Sequence, residues 1–287
     1  MLTALARGLA QIYLASSPLT GVLILAGLAI AAPDMAVLVA IGAAIQPLAA
    51  RAMRVPDAQV RAGLFGYNGA LCGTTTWACL GLSWTGVAVT AIGAMLCVPI
   101  HLLVARLATR GNKRWDLPVL TVPFCALSTA LVAVVPTRAD LPAPSHGPVI
   151  AGAANAMAEV CRADGWLPGL IILAGLALAG WRIATWALAG WAASCLAVVL
   201  PGVDTDALAT GVPSYCSVLV AIAVGAVFLP QASLPVRAGA TAAGVVVALL
   251  VQAGLVALGI GVFTWPFIAG TWAGLLLGRA LEGLPRG

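Results

Sequence analysis

GLFGYNGALCG, residues 63–73, sets four glycines, an aromatic and an asparagine between a basic loop and a long apolar run. Glycine weakens a helix interior by up to about 1 kcal/mol relative to alanine, so four in one short stretch need a physical reason. The stretch comes back. At an offset of 148, Gly63 falls on Gly211, Tyr67 on Tyr215 and Leu71 on Leu219, so GLFGYNGAL returns as GVPSYCSVL (211–219). The same offset aligns QIYLASSPLTGVLILAGLAIAA (11–32) with EVCRADGWLPGLIILAGLALAG (159–180) without a gap. LTVPF (120–124) returns as FTWPF (263–267), at an offset of 143. The chain therefore reads as an internal duplication of about 140 residues: a first repeat over 1–140, a linker over 141–150 and a second repeat over 151–287.

Composition says where such a chain lives. Of its residues, 62% are hydrophobic and only 8% charged, where soluble domains are nearer a quarter charged. The mean hydropathy of +1.07 is that of an all-α polytopic membrane protein. The net charge of +5 reads as a topology signal rather than a nucleic-acid footprint. The cysteines are odd in number, scattered and without a C-x-x-C. They read as small apolar side chains, neither a disulfide framework nor a metal site. The N-terminus has no clean signal-peptide pattern and reads as a helix at or entering the membrane.

Hydrophobic patterning places helices over residues 18–32, 35–50, 63–84, 85–105 and 117–135, then over 166–181, 183–200, 211–229, 239–259 and 263–277. Several are near 20 residues, enough to cross about 30 Å of hydrocarbon. Counting the glycine-rich segment as one crossing gives five per repeat. An odd number turns the second repeat upside down. Alternating sides from Arg7 puts twelve of the 14 basic residues on one side, with only Arg138 and Arg162 opposite them. Asp34, Asp140, Glu159, Asp164, Asp204 and Asp206 gather with those two. The positive-inside rule then makes the basic side, with both termini, cytoplasmic. Inverted repeats put a substrate path near the midplane, on the pseudo-two-fold axis.

Three matched pairs are candidates for that path. Glycine and asparagine near a bend suggest a helix that starts inside the bilayer, which survives only if buried in protein or lining a wet cavity. Tyr67 and Leu71 share one helical face, and Tyr215 and Leu219 repeat it. Tight packing of the glycines is the competing explanation. Thr121 and Thr264 each stand two residues before a proline, which removes a donor and frees a carbonyl one turn earlier. That reading points to the carbonyls of Val119 and Val262, with the threonine hydroxyls beside them. Gln11 and Glu159 form the third pair, one for each mouth. Glu159 sits among small and apolar residues, and an ionisable group at membrane depth is functional by default.

GLFGYNGALCG, LPVLTVPF (117–124) and QIYLASSPLTGVLILAGL (11–28) together resemble the urea transporter family over essentially the full length. The resemblance implies a channel-like facilitator with two inverted-topology repeats, each of about five transmembrane helices plus a pore half-helix. It also implies a homotrimer with one pore per subunit, in the cytoplasmic (inner) membrane of a bacterium. It implies that Gln11 and Glu159 hold urea nitrogens, that Thr121 and Thr264 serve the narrow middle, that Tyr67, Leu71, Tyr215 and Leu219 form flat walls, and that Val160 lines the slot. The second repeat departs from the pattern: Ile260-Gly261 replaces Leu117-Pro118, Cys216 replaces Asn68, and Phe263 replaces Leu120.

Urea is flat, neutral and rich in N–H donors. A row of oxygens can replace its water step by step, while binding stays weak enough for release. No paired carboxylates or acid–histidine relay appear in the helices, so the expectation is passive, bidirectional flux. Acetamide, formamide, ammonia or water are the alternative solutes, and ion-coupled transport is a further rival. His101 and His146 are not repeat-matched, which disfavours an ammonia channel. There is no H-E-x-x-H, G-x-S-x-G or Walker pattern, so no catalytic residue, metal or cofactor is expected and the chain is not read as an enzyme. Gln46 and Gln252 read as interhelical bonds. The tryptophans mostly read as interfacial.

Overall fold

A computed structural model describes residues 2–110, 117–141, 148–199 and 206–282. Lys113, Arg114, Trp115, His146, Asp204 and Arg286, which the sequence reading used, lie outside the described residues. All regular structure within them is helical. The elements are α1 (Leu2–Ala10), α2 (Pro18–Ala31), α3 (Pro33–Ala52), α4 (Asp57–Arg61), α5 (Tyr67–Leu80), α6 (Trp84–Arg110) and α7 (Val122–Val134). They are followed by α8 (Ala151–Glu159), α9 (Trp166–Ala179), α10 (Trp181–Val199), α11 (Asp206–Ala209), α12 (Tyr215–Ala221), α13 (Leu234–Ala257) and α14 (Trp265–Glu282). A 3-10 turn, Gln11–Tyr13, follows α1, and a π-helical segment, Ile222–Phe228, extends α12.

Length and composition let three of the described helices cross a membrane: Pro33–Ala52, Trp84–Ala108 and Leu234–Ala257. α1 and α2 qualify as a pair, bent by 75° at the break between them. Leu14 makes that break by adopting a left-handed φ of 59°. Ser17 then caps α2 by accepting from the Thr20 N–H at 3.5 Å, and Pro18 enters where its missing N–H costs nothing. Arg162 takes a φ of 57° between α8 and α9.

Several expected helices begin later than their apolar runs. Leu120 and Phe263 are left-handed, with φ of 51° and 41°. Each such residue costs of order 1–3 kcal/mol when it is not glycine. They stop any helix from running through LTVPF or FTWPF, so α7 starts at Val122 and α14 at Trp265. Pro123 and Pro266 therefore fall in first turns, and the carbonyls expected to be freed one turn earlier are not. The Val119 carbonyl accepts from Val122 N–H at 3.4 Å, and that of Val262 from Trp265 N–H at 3.2 Å. The helix expected over 211–229 becomes α12 plus the π segment, where the Trp186 ring lies against Gly225.

The glycines of the opening stretch are explained by packing. Gly63 turns the chain with φ +85°, as Gly211 does with φ +79°. A Cβ at Gly66 would stand 2.9 Å from the Cα of Gly8, one at Gly69 2.5 Å from the Gly42 carbonyl oxygen, and one at Gly73 2.6 Å from that of Leu38. α5 thus lies backbone to backbone against α1 and α3. α2 and α9 meet in the middle of the molecule, where Thr20 Oγ1 donates to the Gly175 carbonyl at 2.7 Å. Thr20→Val should cost about 1 kcal/mol, the usual scale of an interhelical bond in a membrane protein. Thermal unfolding in detergent should show a small downward shift without loss of the folded peak.

Candidate functional site

The left-handed turns at Leu120 and Phe263 expose their carbonyls, and aromatic hydroxyls take them. Tyr67, the first residue of α5, donates its OH to the Leu120 carbonyl at 2.7 Å. Asn68 Nδ2 adds a second bond to it at 3.3 Å, and Asn68 Oδ1 accepts from the Phe124 N–H at 3.2 Å. Tyr215, the first residue of α12, donates its OH to the Phe263 carbonyl, where Cys216 Sγ lies at 3.6 Å in place of the asparagine. Two tyrosines thus fix the two strained turns.

The turns in turn aim the residues that follow them. Thr121 and Thr264 bring their hydroxyl oxygens to 2.7 Å of each other, with each residue only 2% exposed. Cys125 Sγ stands 3.1 Å from the Thr264 hydroxyl. Phe124 and Phe263 close around this point edge to face, centroids 5.7 Å apart. Residues 143 positions apart in sequence therefore share one buried polar contact between the starts of α7 and α14.

A cavity of about 430 Å³ opens from Thr264 and Phe263 along Val160 and Tyr215 to Glu159 and Arg162. A second of about 190 Å³ continues past Glu159 and Arg162 to Trp77 and Asp164. Glu159 ends α8; its backbone carbonyl accepts from the Arg162 N–H at 2.8 Å, while its carboxylate, which lines both cavities, makes no ion pair or hydrogen bond among the described residues. Val160 is 4% exposed and Leu71 and Leu219 are 1% each, which makes them close-packed wall or core. Gln11 stands apart, in the 3-10 turn after α1, where its Nε2 donates to the Ala62 carbonyl at 3.2 Å. The structure therefore gathers Thr264, Glu159, Val160 and Tyr215 around one cavity, with Thr121 one hydrogen bond behind Thr264 and Tyr67 holding the turn before Thr121.

Sequence reading missed Cys125, although it stands one helical turn after Thr121. It also missed Asn68 as the partner of Leu120, and the hydroxyls of Thr74, Thr75 and Thr137, which line the larger cavity. The run Thr74-Thr75-Thr76 inside an apolar helix was the available signal. Gln46 is structural, accepting from the Gly69 N–H at 2.7 Å, and Gln252 donates to the Val212 carbonyl at 3.1 Å. His101 packs against Phe65, ring centroids 4.6 Å apart. Trp272 bonds the Pro118 carbonyl at 3.0 Å and Trp265 the Thr129 hydroxyl at 3.1 Å.

The description "urea transporter" belongs to the family model that matches residues 2–279. The chain belongs to the urea transporter family. The motifs around Gln11, Tyr67 and Thr121 thus carried a true resemblance. Among curated relatives, Urea transporter 1 of Rattus norvegicus is 33% identical over 138 residues, 44% of this chain and 33% of that protein. Urea transporter 1 of Mus musculus is 32% identical and that of Ovis aries 33%, over stretches of the same length. The chain thus spans about a third of the length of the relatives it matches. Apolar helices and family membership together make this an integral membrane protein. Its family is one of transporters rather than enzymes.

Proposed function

We propose that the chain conducts urea passively across the membrane. The observation that carries this reading is the Thr121–Thr264 hydroxyl pair, 2.7 Å apart, at the head of a cavity that ends at the open carboxyl of Glu159. Stripping water from urea costs several kcal/mol. Glu159 and the two threonines offer oxygens in succession to its N–H groups. Phe124, Phe263, Tyr215 and Val160 give flat apolar walls that solvate no ion. In this reading Gln11 takes urea nitrogens at the opposite mouth, and Tyr67, Leu71 and Leu219 complete the slot walls. Among the described residues neither cavity is lined by a histidine.

The path belongs to two inverted repeats of five crossings each. Support comes from strained backbone that recurs at the repeat offsets: Leu14 with Arg162, Gly63 with Gly211, and Leu120 with Phe263. The basic side faces the cytoplasm with both termini, the membrane is a bacterial inner membrane, and three copies assemble with one pore each.

Reconstituted into liposomes, the chain should admit urea many-fold faster than empty vesicles after an osmotic shock, with no ion gradient imposed. Glu159→Ala should slow entry at least tenfold, since an apolar mouth offers no acceptor. Urea entry at the empty-vesicle rate from folded protein would sink the reading. Acetamide or ammonia passing in its place would assign another small neutral solute, and dependence on a sodium or proton gradient would assign coupling.

A further inference from the structure

Every group so far assigned to the solute is an acceptor for its N–H groups. Urea also carries a carbonyl oxygen, which needs a donor once water is gone. We propose that the Thr75 hydroxyl is that donor, forming a station for the solute carbonyl between Glu159 and Thr264. The proposal rests on the urea reading above.

Thr75 sits on α5, is 1% exposed and lines the larger cavity. Its Oγ1 accepts from the Ser128 hydroxyl on α7 at 3.0 Å. A hydroxyl has one proton to give. A helical threonine ordinarily gives it to the carbonyl a turn earlier. Here that carbonyl belongs to Leu71, and it already takes the hydroxyl of Thr74 at 2.8 Å. The Thr75 proton therefore has no acceptor among the described residues. Ser128 holds the oxygen in place and leaves the proton for a guest.

The station is one-sided. At the offset of 148, Thr74, Thr75 and Thr76 fall on Ile222, Ala223 and Val224. The hydroxyl run thus stands in the first repeat alone, and the matching positions of the second are apolar. Thr74, Thr137 and Arg162 also line the cavity, but Thr74 spends its proton on Leu71; beside Val160, Val262 and the two phenylalanines an unmatched carbonyl would meet a barrier.

The test is urea and thiourea entry into liposomes carrying the parent, Thr75→Val, Thr75→Ser or Ser128→Ala. Thiourea keeps the shape and the N–H groups but replaces the carbonyl oxygen with sulfur. Thr75→Val should lower urea entry about tenfold, the scale of one lost buried hydrogen bond, and thiourea entry far less. Thr75→Ser should restore urea entry. Ser128→Ala, which removes the interhelical bond but not the donor, should cost less than Thr75→Val. Equal losses in Thr75→Val and Ser128→Ala, a urea rate in Thr75→Val within twofold of parent, or a serine variant no better than valine would overturn the proposal. A parent that admits no urea would instead remove the reading on which it rests.

Discussion

The double variant Thr121→Val/Thr264→Val should lose urea entry to the rate of empty vesicles, a fall of at least a hundredfold, while folding normally. Valine matches threonine in shape and deletes only the hydroxyl. Removing both partners of a buried pair leaves neither hydroxyl orphaned, which is the cheap direction of change; the Cys125 thiol, 3.1 Å from Thr264, loses only a weak contact. Stability should therefore move by no more than about 1 kcal/mol. Transport is another matter. The two hydroxyls meet between the starts of α7 and α14, with Phe124 and Phe263 around them. Without them a dehydrated solute meets an apolar constriction, and each 1.4 kcal/mol of unmatched hydrogen bonding costs a factor of ten in rate. Stopped-flow light scattering on liposomes with equal amounts of folded protein measures the effect. Entry within threefold of the parent would place the rate-limiting contact elsewhere.

The second large effect is on folding. Gly69→Leu should abolish the folded protein, seen as loss of the monodisperse peak on size exclusion in detergent. A Cβ there would stand 2.5 Å from the Gly42 carbonyl oxygen and 3.0 Å from the Cβ atoms of both Ala94 and Gln46. Three elements would have to part to admit it, and the bond from Gly69 N–H to Gln46 would be lost with them. Overpacking of a core by even a methylene or two costs about 1–3 kcal/mol, and here the obstacle is backbone that cannot rotate away. Gly239→Ala is the matched control: a Cβ at Gly239 meets nothing within 4 Å. It should be neutral or add a few tenths of a kcal/mol through helix propensity. Equal behaviour of the two variants would refute the packing account of the glycine-rich stretch.

GLFGYNGALCG is a packing surface as well as a repeat mark. Recurrence in the second half of the chain suggested that its residues face a path. The glycines let α5 touch α1 and α3, and Tyr67, at the start of α5, reaches the Leu120 carbonyl. The stretch also positions the site, through a tyrosine whose hydroxyl holds the turn before Thr121.

The chain's order along one dimension was open to reading. Apolar composition marked a membrane protein, because lipid asks the same hydrophobicity of any spanning segment. The fixed offsets paired Gln11 with Glu159, Tyr67 with Tyr215 and Thr121 with Thr264, because duplication leaves its record in numbering alone. Helix positions followed to within a turn for most elements. Tertiary structure alone decided where those pairs lie and what they touch. Left-handed backbone at Leu120 and Phe263 carries no local signature, since both residues disfavour it. It persists where a tyrosine from another helix bonds the exposed carbonyl. The 2.7 Å contact between Thr121 and Thr264 likewise depends on how α7 and α14 are docked, and contact across so long a separation is fixed by packing rather than by either motif.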